Sequence, residues 1–263
     1  MTDLRKYGPW ALIAGGSEGI GAEFARKLAI AGINLVLVAR MEGPLQTLAA
    51  ELTSTGVQIR TATLNLAKPD MLPAIRQLTD DLDIGLLIYN AGTDNRAADF
   101  LDVPIDRVQY SIHLSITGQT LLCHHFGTRM RARGGGGIIL VGSLLGYAGG
   151  GAMSVYAAAK AYSHTLAKGL WHELRPAGVD VLGLVVSATA TPAYERMGLA
   201  ASHGAIIASR PEDVAQEGLE MLPHGPLHIV RAAQAFAAHL QSLPVQEAVE
   251  LVTASAAAMR GET

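Results

Sequence analysis

Seven short apolar runs punctuate the chain, and the stretches between them carry apolar residues at helical spacing. The runs are WALIA (10–14), NLVLVA (34–39), QIRTATL (58–64), IGLLIY (84–89), GIILVG (137–142), VDVLGLVV (179–186) and LHIV (227–230). Runs of this length with little alternation suit strands covered on both faces. Helical patterns fall near 19–31, 43–54, 69–82, 104–132, 154–176 and 211–222. Strand and helix in alternation predict an α/β fold, a doubly wound parallel sheet of about seven strands. Residues 231–261 read as one or two further helices broken near Pro244. No repeat, linker or composition break interrupts the 263 residues, so a single domain, 1–263, is expected.

Composition narrows the function classes. With 20 Lys+Arg against 23 Asp+Glu and no long run of either sign, nothing invites nucleic acid or anionic lipid. RMRAR (129–133), the one basic cluster, reads as the solvated end of a helix. Cys123 is the only cysteine, so no intrachain disulfide can form, and a reducing cytoplasm is expected. No signal-peptide pattern and no unbroken run of 18 apolar residues occurs, so no membrane span is expected. The nine histidines lack HExxH spacing and cysteine partners, which argues against a metal site.

Directly after the first run comes AGGSEGIGAEFARKL. Gly15, Gly19 and Gly21 fall at a strand-to-helix turn, where missing Cβ atoms would let backbone approach a pyrophosphate at the helix N-terminus. A tight turn without a ligand could use the same glycines. The following helix carries Ile20, Phe24 and Leu28 on one face and leads to a second strand ending in Arg40. An arginine there suits a ribose 2'-phosphate, as an acid would suit the 2'-hydroxyl, which favours NADP over NAD. Glu18, in the same turn, could repel that phosphate.

Tyr156 and Lys160 stand four apart in VYAAAKAYSHTLAKGLWHEL (155–174), so both share one helix face. Taken in order, the glycine turn, YNAG (89–92), Ser143 and YAAAK (156–160) resemble the short-chain dehydrogenase/reductase family. Its pattern is TGxxxGxG, NNAG, and a serine about a dozen residues before YxxxK. The resemblance covers about residues 8–192, with 193–263 left as a substrate loop and C-terminal helices.

That resemblance implies a Rossmann-like fold, a homodimer or homotetramer, and an NADP(H)-dependent exchange of a secondary alcohol and a ketone. Tyr156 would be the general acid/base. Since a free phenol has a pKa near 10, it would need Lys160 beside it. Ser143 would hold the substrate oxygen. Dinucleotide contacts are implied for Gly15, Ser17, Gly19, Ile20, Gly21, Arg40, Asn65, Leu66, Asn90, Ala91, Gly92, Tyr156, Lys160, Thr189 and Thr191.

Departures from the pattern matter as well. Ala14 replaces a threonine, Tyr89 the first asparagine of NNAG, and Val186 and Ser187 a Pro-Gly pair. Ser115 falls where the family's catalytic asparagine holds a water, so Ser115 is expected to serve a weakened proton relay. Leu144, Leu145, Tyr147, Met153, Tyr194 and Met197 form the expected apolar substrate wall. The alternative from another class is a non-catalytic dinucleotide-binding redox sensor or scaffold, favoured by the substitutions at 14, 115, 186 and 187.

Overall fold

A computed structural model of the chain describes residues 3–92, 98–196, 202–203 and 206–259. Seven strands form one sheet: β1 (Trp10–Ala14), β2 (Asn34–Ala39), β3 (Ile59–Thr63), β4 (Ile84–Tyr89), β5 (Gly136–Ser143), β6 (Val179–Val186) and β7 (Leu227–Ile229). All pair in parallel, in the order β3-β2-β1-β4-β5-β6-β7. The apolar runs become strands because both faces are covered: every residue of β1, β4 and β5 is buried. Strand order reverses between β1 and β4, the crevice where doubly wound folds take ligands.

Helices cover the two faces. On one lie α1 (Gly19–Ile30), α2 (Glu42–Thr53) and the later α7 (Pro211–Met221). Phe24 and Leu28 of α1, Leu45 of α2 and Val214 of α7 join Ile13, Leu37 and Leu184 in one cluster. On the other lie α3 (Met71–Thr79), α5 (Gln119–Arg133) and α6 (Ser154–Leu174), whose Ile75, Phe126 and Ala167 pack with Leu12, Val36 and Leu87. Full burial of a side chain such as Phe24 or Phe126 contributes roughly 1.5–3 kcal/mol. After β7 come α8 (Arg231–Ser242) and α9 (Val245–Met259), separated by Leu243 and Pro244 where the break was expected.

Three local readings needed correction. The 104–132 pattern is not one helix: α4 (Ile105–Ile112) passes through a π turn, His113–Gly118, before α5 begins. Tyr89 clasps that turn: its hydroxyl donates to the Leu114 carbonyl. The arginines at 129–133 are more than a solvated helix end. Arg129 Nη2 donates to Leu82 O at 2.6 Å, while Arg133 Nη1 bridges Asp83 Oδ1 at 2.9 Å and Gly8 O at 3.1 Å. Short helices at Leu145–Ala148 and Pro192–Arg196 and an antiparallel pairing of Ser202–His203 with Ile206–Ile207 were not foreseen.

Candidate active site

A cleft of about 490 Å³ opens at the C-terminal ends of β1, β2, β4, β5 and β6. Its floor is the glycine turn. Gly15, at φ +82°, donates its N–H to Val38 O at 2.8 Å and lies so near the 90–92 loop that a Cβ would meet Ala91 N at 2.7 Å. Asn90 Nδ2 in turn donates to Gly15 O at 2.9 Å. Gly21 sits behind the turn rather than in the cleft, and a Cβ there would lie 2.0 Å from Gly15 O. Gly15, Ser17, Gly19, Ile20, Arg40, Leu66, Asn90, Ala91, Gly92, Tyr156, Lys160, Thr189 and Thr191 all line the cleft.

At one end stands Arg40, exposed, with Nη1 2.7 Å from Tyr110 Oη and its guanidinium 5.8 Å from that ring's centroid. Tyr110 Oη lies 3.4 Å from Asn65 Oδ1, and the same oxygen accepts the Ala67 N–H at 3.0 Å. Asn65 itself does not line the cleft, because its carboxamide turns back to close this loop. Tyr110 escaped the sequence reading; an aromatic residue early in the 104–132 helical pattern was the only signal. Glu18 is not left bare beside Arg40. Arg196, from the short helix after β6, grips it through both terminal guanidinium nitrogens, with Nη1 3.0 Å from Oε2.

At the other end, Ser143 closes β5, and Tyr156 and Lys160 project from the first turns of α6. Ser143 Oγ accepts the Leu145 N–H at 3.3 Å. Lys160 is buried and donates from Nζ to Val141 O at 2.8 Å, with its ammonium 5.5 Å from the Tyr156 ring centroid. All three side chains therefore meet one cavity, whose far end holds an arginine.

The sequence pattern of the short chain dehydrogenases matches residues 9–200. The chain belongs to the short-chain dehydrogenase family. Over 223 residues it is 31% identical to a 7β-hydroxysteroid dehydrogenase of Clostridium sardiniense, covering 84% of this chain and 85% of that one. It is 34% identical over 204 residues to a very-long-chain 3-oxoacyl-CoA reductase of Neurospora crassa, covering 74% of this chain and 61% of that longer protein. A solved 7β-hydroxysteroid dehydrogenase superposes with a TM-score of 0.86 at 25% identity, over 95% of this chain and 99% of the other. A short-chain dehydrogenase from Sphingobium yanoikuyae in complex with NADPH superposes with a TM-score of 0.79 at 30% identity, over 90% and 96%.

In this short-chain dehydrogenase Ser115 does not reach the cleft. It is buried in the π turn, and Leu114 lines the cavity instead. Of the expected substrate wall, Leu145, Met153 and Tyr194 line the cleft. Leu144 and Tyr147 turn away from it: Leu144 is in the core and Tyr147 packs against that core, its ring 5.2 Å from His164. Met197 lies outside the described residues. Val186, Ser187, Ala188 and Ala193 also line the cavity, as does Ala256 of α9. No spacing rule pointed to Ala256, since α9 reaches the cleft only through tertiary packing.

His164, one turn beyond Lys160, is buried and accepts the Ser143 N–H on Nε2 at 3.3 Å. Burial, reinforced by the charges of Lys160 and Lys168, lowers its pKa from an ordinary 6.5 to about 4. Between those values the unfolded chain binds a proton that the folded chain refuses, so acid favours unfolding. The associated stabilisation is complete above about pH 6.5 and fades as pH falls to 4, amounting to about 3 kcal/mol. Urea midpoints at pH 7 and pH 4 are expected to differ more for wild type than for His164→Gln; equal differences would remove His164 as the cause.

Proposed function

We propose that the protein is an NADP(H)-dependent oxidoreductase that interconverts a secondary alcohol and a ketone on an apolar, steroid-sized substrate. The observation that carries this reading is the convergence of Ser143, Tyr156 and Lys160 on one cleft with Arg40 at its opposite end. A dinucleotide fits the donor set between them. The glycine turn leaves backbone bare at the start of α1, Asn90 and Thr191 offer polar side chains along the wall, and Arg40 offers a guanidinium for a 2'-phosphate. When bound, NADPH supplies the hydride.

The chain's own residues would do the rest. The Ser143 hydroxyl donates a hydrogen bond to the substrate oxygen and orients the carbonyl. The Tyr156 phenol gives that oxygen its proton, or takes it back in the oxidative direction. Lys160 spends one ammonium proton on Val141 O and keeps two donors for the nicotinamide ribose and the phenol's surroundings. Leu145, Met153, Tyr194 and Ala256 present an apolar surface, which supports a hydrophobic substrate of the kind named by the hydroxysteroid dehydrogenase relatives. Exposed Phe100, Leu101, Ile105 and Ile112 support a homo-oligomer, and the lone buried Cys123 is in keeping with a reducing cytoplasm.

Purified protein with NADPH and a panel of ketones tests this: a 7-oxosteroid, a diaryl ketone and a 3-oxoacyl thioester. Oxidation of NADPH with the first two is expected. The exclusion of Ser115 from the cleft favours a second reading, the redox sensor or scaffold, and binding of NADPH without its consumption by any ketone would decide for it.

Arg40→Ala tests the cofactor. Loss of the charge-assisted contact is expected to cost about 1.5–3 kcal/mol, or roughly 10- to 150-fold, in NADPH binding and to leave NADH nearly unchanged. Dissociation constants for both cofactors check it, and equal losses would remove the NADP preference.

A further inference from the structure

Beyond its last pairing with β4, Tyr89 with Leu140, strand β5 runs on to Ser143, and among the described residues no strand pairs with it on that side. Backbone groups there need other partners. Two side chains from α6 provide them. Lys160 Nζ donates to Val141 O at 2.8 Å, and His164 Nε2 accepts the Ser143 N–H at 3.3 Å. His164 follows Lys160 by four residues and Tyr156 by eight, so all three lie on one face of the helix.

The imidazole is built into its place. Only 4% of its surface is exposed. A Cβ at Gly142 would lie 2.4 Å from His164 Nε2, and one at Gly146 would lie 2.8 Å from Cε1, so the ring occupies a hollow that two glycines leave. Tyr147 closes the hollow with its ring tilted against the imidazole at 5.2 Å. To accept from Ser143, Nε2 must carry no proton, which assigns the ring proton to Nδ1.

We propose that His164 is a positioning residue for the reaction: a neutral imidazole, bare at Nε2, that holds Ser143 in place relative to Tyr156 and Lys160. This rests on reading Ser143 as the hydroxyl that bonds the substrate oxygen. His164 does not line the cleft. It acts through the backbone, fixing the Ser143 amide and thereby the Oγ, which itself is steadied by the Leu145 N–H. The same helix then sets the acid, the ammonium and the serine as one unit. Freed of this tether, Ser143 and the turn after it could shift by a fraction of a bond length or more. Displacements near 1 Å at a reacting centre can cost about a hundredfold.

The test compares His164→Leu, which removes the acceptor, with His164→Gln, whose carbonyl oxygen can reach the same N–H. With the panel ketone that wild type reduces fastest, the leucine variant is expected to lose about 10- to 100-fold in kcat while KM for NADPH changes less than about threefold. Glutamine is expected to restore kcat to within about threefold of wild type. Equal losses in both variants, or none in the leucine variant, overturn the proposal. Ser143→Ala belongs in the same series. If it stays active, the reading of Ser143 falls and the proposal with it; if it is inactive while the two His164 variants behave alike, His164 alone is excluded. Nitrogen-15 NMR of wild type is independent of any variant's folding. It is expected to find Nδ1 protonated and Nε2 bare at pH 7, and an Nε2–H tautomer or an imidazolium there overturns the proposal.

Discussion

Tyr156→Phe is expected to bind NADPH almost as wild type does and to reduce ketones about 10²–10⁴-fold more slowly, the usual contribution of a positioned acid. The reason lies in how little else the substitution touches. Tyr156 is half-buried on the first turn of α6, and its ring sits 5.5 Å from the Lys160 ammonium, a contact that phenylalanine keeps. Lys160 remains anchored to Val141 O, so the cofactor side of the cleft is undisturbed. Only the phenolic oxygen, the proton's route to the substrate, disappears. The measurements are kcat with one good ketone and the NADPH dissociation constant. A variant retaining more than about a tenth of the wild-type rate would show that some other group supplies the proton.

Gly21→Ala is expected to damage the protein more broadly. A Cβ at residue 21 would lie 2.0 Å from Gly15 O, far inside van der Waals contact with a backbone atom that cannot rotate away, and 2.9 Å from Asn90 Nδ2. Relief requires the start of α1 to lift off the turn, which breaks the Asn90–Gly15 bond of 2.9 Å and widens the floor of the cleft. A clash with backbone belongs at the upper end of overpacking costs, about 3 kcal/mol or more. That corresponds to a melting temperature lower by about 6–12 °C for a chain of this size. NADPH affinity should fall as well, because the lifted turn displaces the backbone that would face the pyrophosphate. Calorimetry and cofactor titration check both. A stable Gly21→Ala protein with wild-type affinity would mean that the turn is far softer than its contacts imply.

The strand frame was legible because its central runs are short and mostly apolar: β1, β2, β4 and β6 fall where their runs begin and end. The cleft's polar wall was legible for a different reason. Gly15 and Gly19 stand at one strand-to-helix turn, Tyr156 and Lys160 stand four apart on one helix, and Asn90 was implied by the family resemblance. Contacts between distant elements left no such trace. Arg196 meets Glu18 across 178 positions of sequence, and Ala256 reaches the cleft from α9. Periodicity could not separate Leu144, which joins the core, from Leu145, which faces the cavity. His164 was hidden for the same reason, since its acceptor role exists only where β5 outruns β4.

The π turn at His113–Gly118 has a bearing on which changes of length the chain can survive. Each α-helical residue advances about 100° around the axis, and a wider turn holds one residue more than an ordinary one. Removing one residue from 113–118 would turn the wide turn into an ordinary one and leave the helix faces after it nearly where they are. Leu122, Phe126 and Met130 would stay pressed on the sheet, whereas the same loss inside α5 would rotate whatever follows it by roughly 100° and carry it out of the core. The segment is therefore slack in an otherwise taut thread, a place where the chain can give up a residue that the straight helix on either side of it needs.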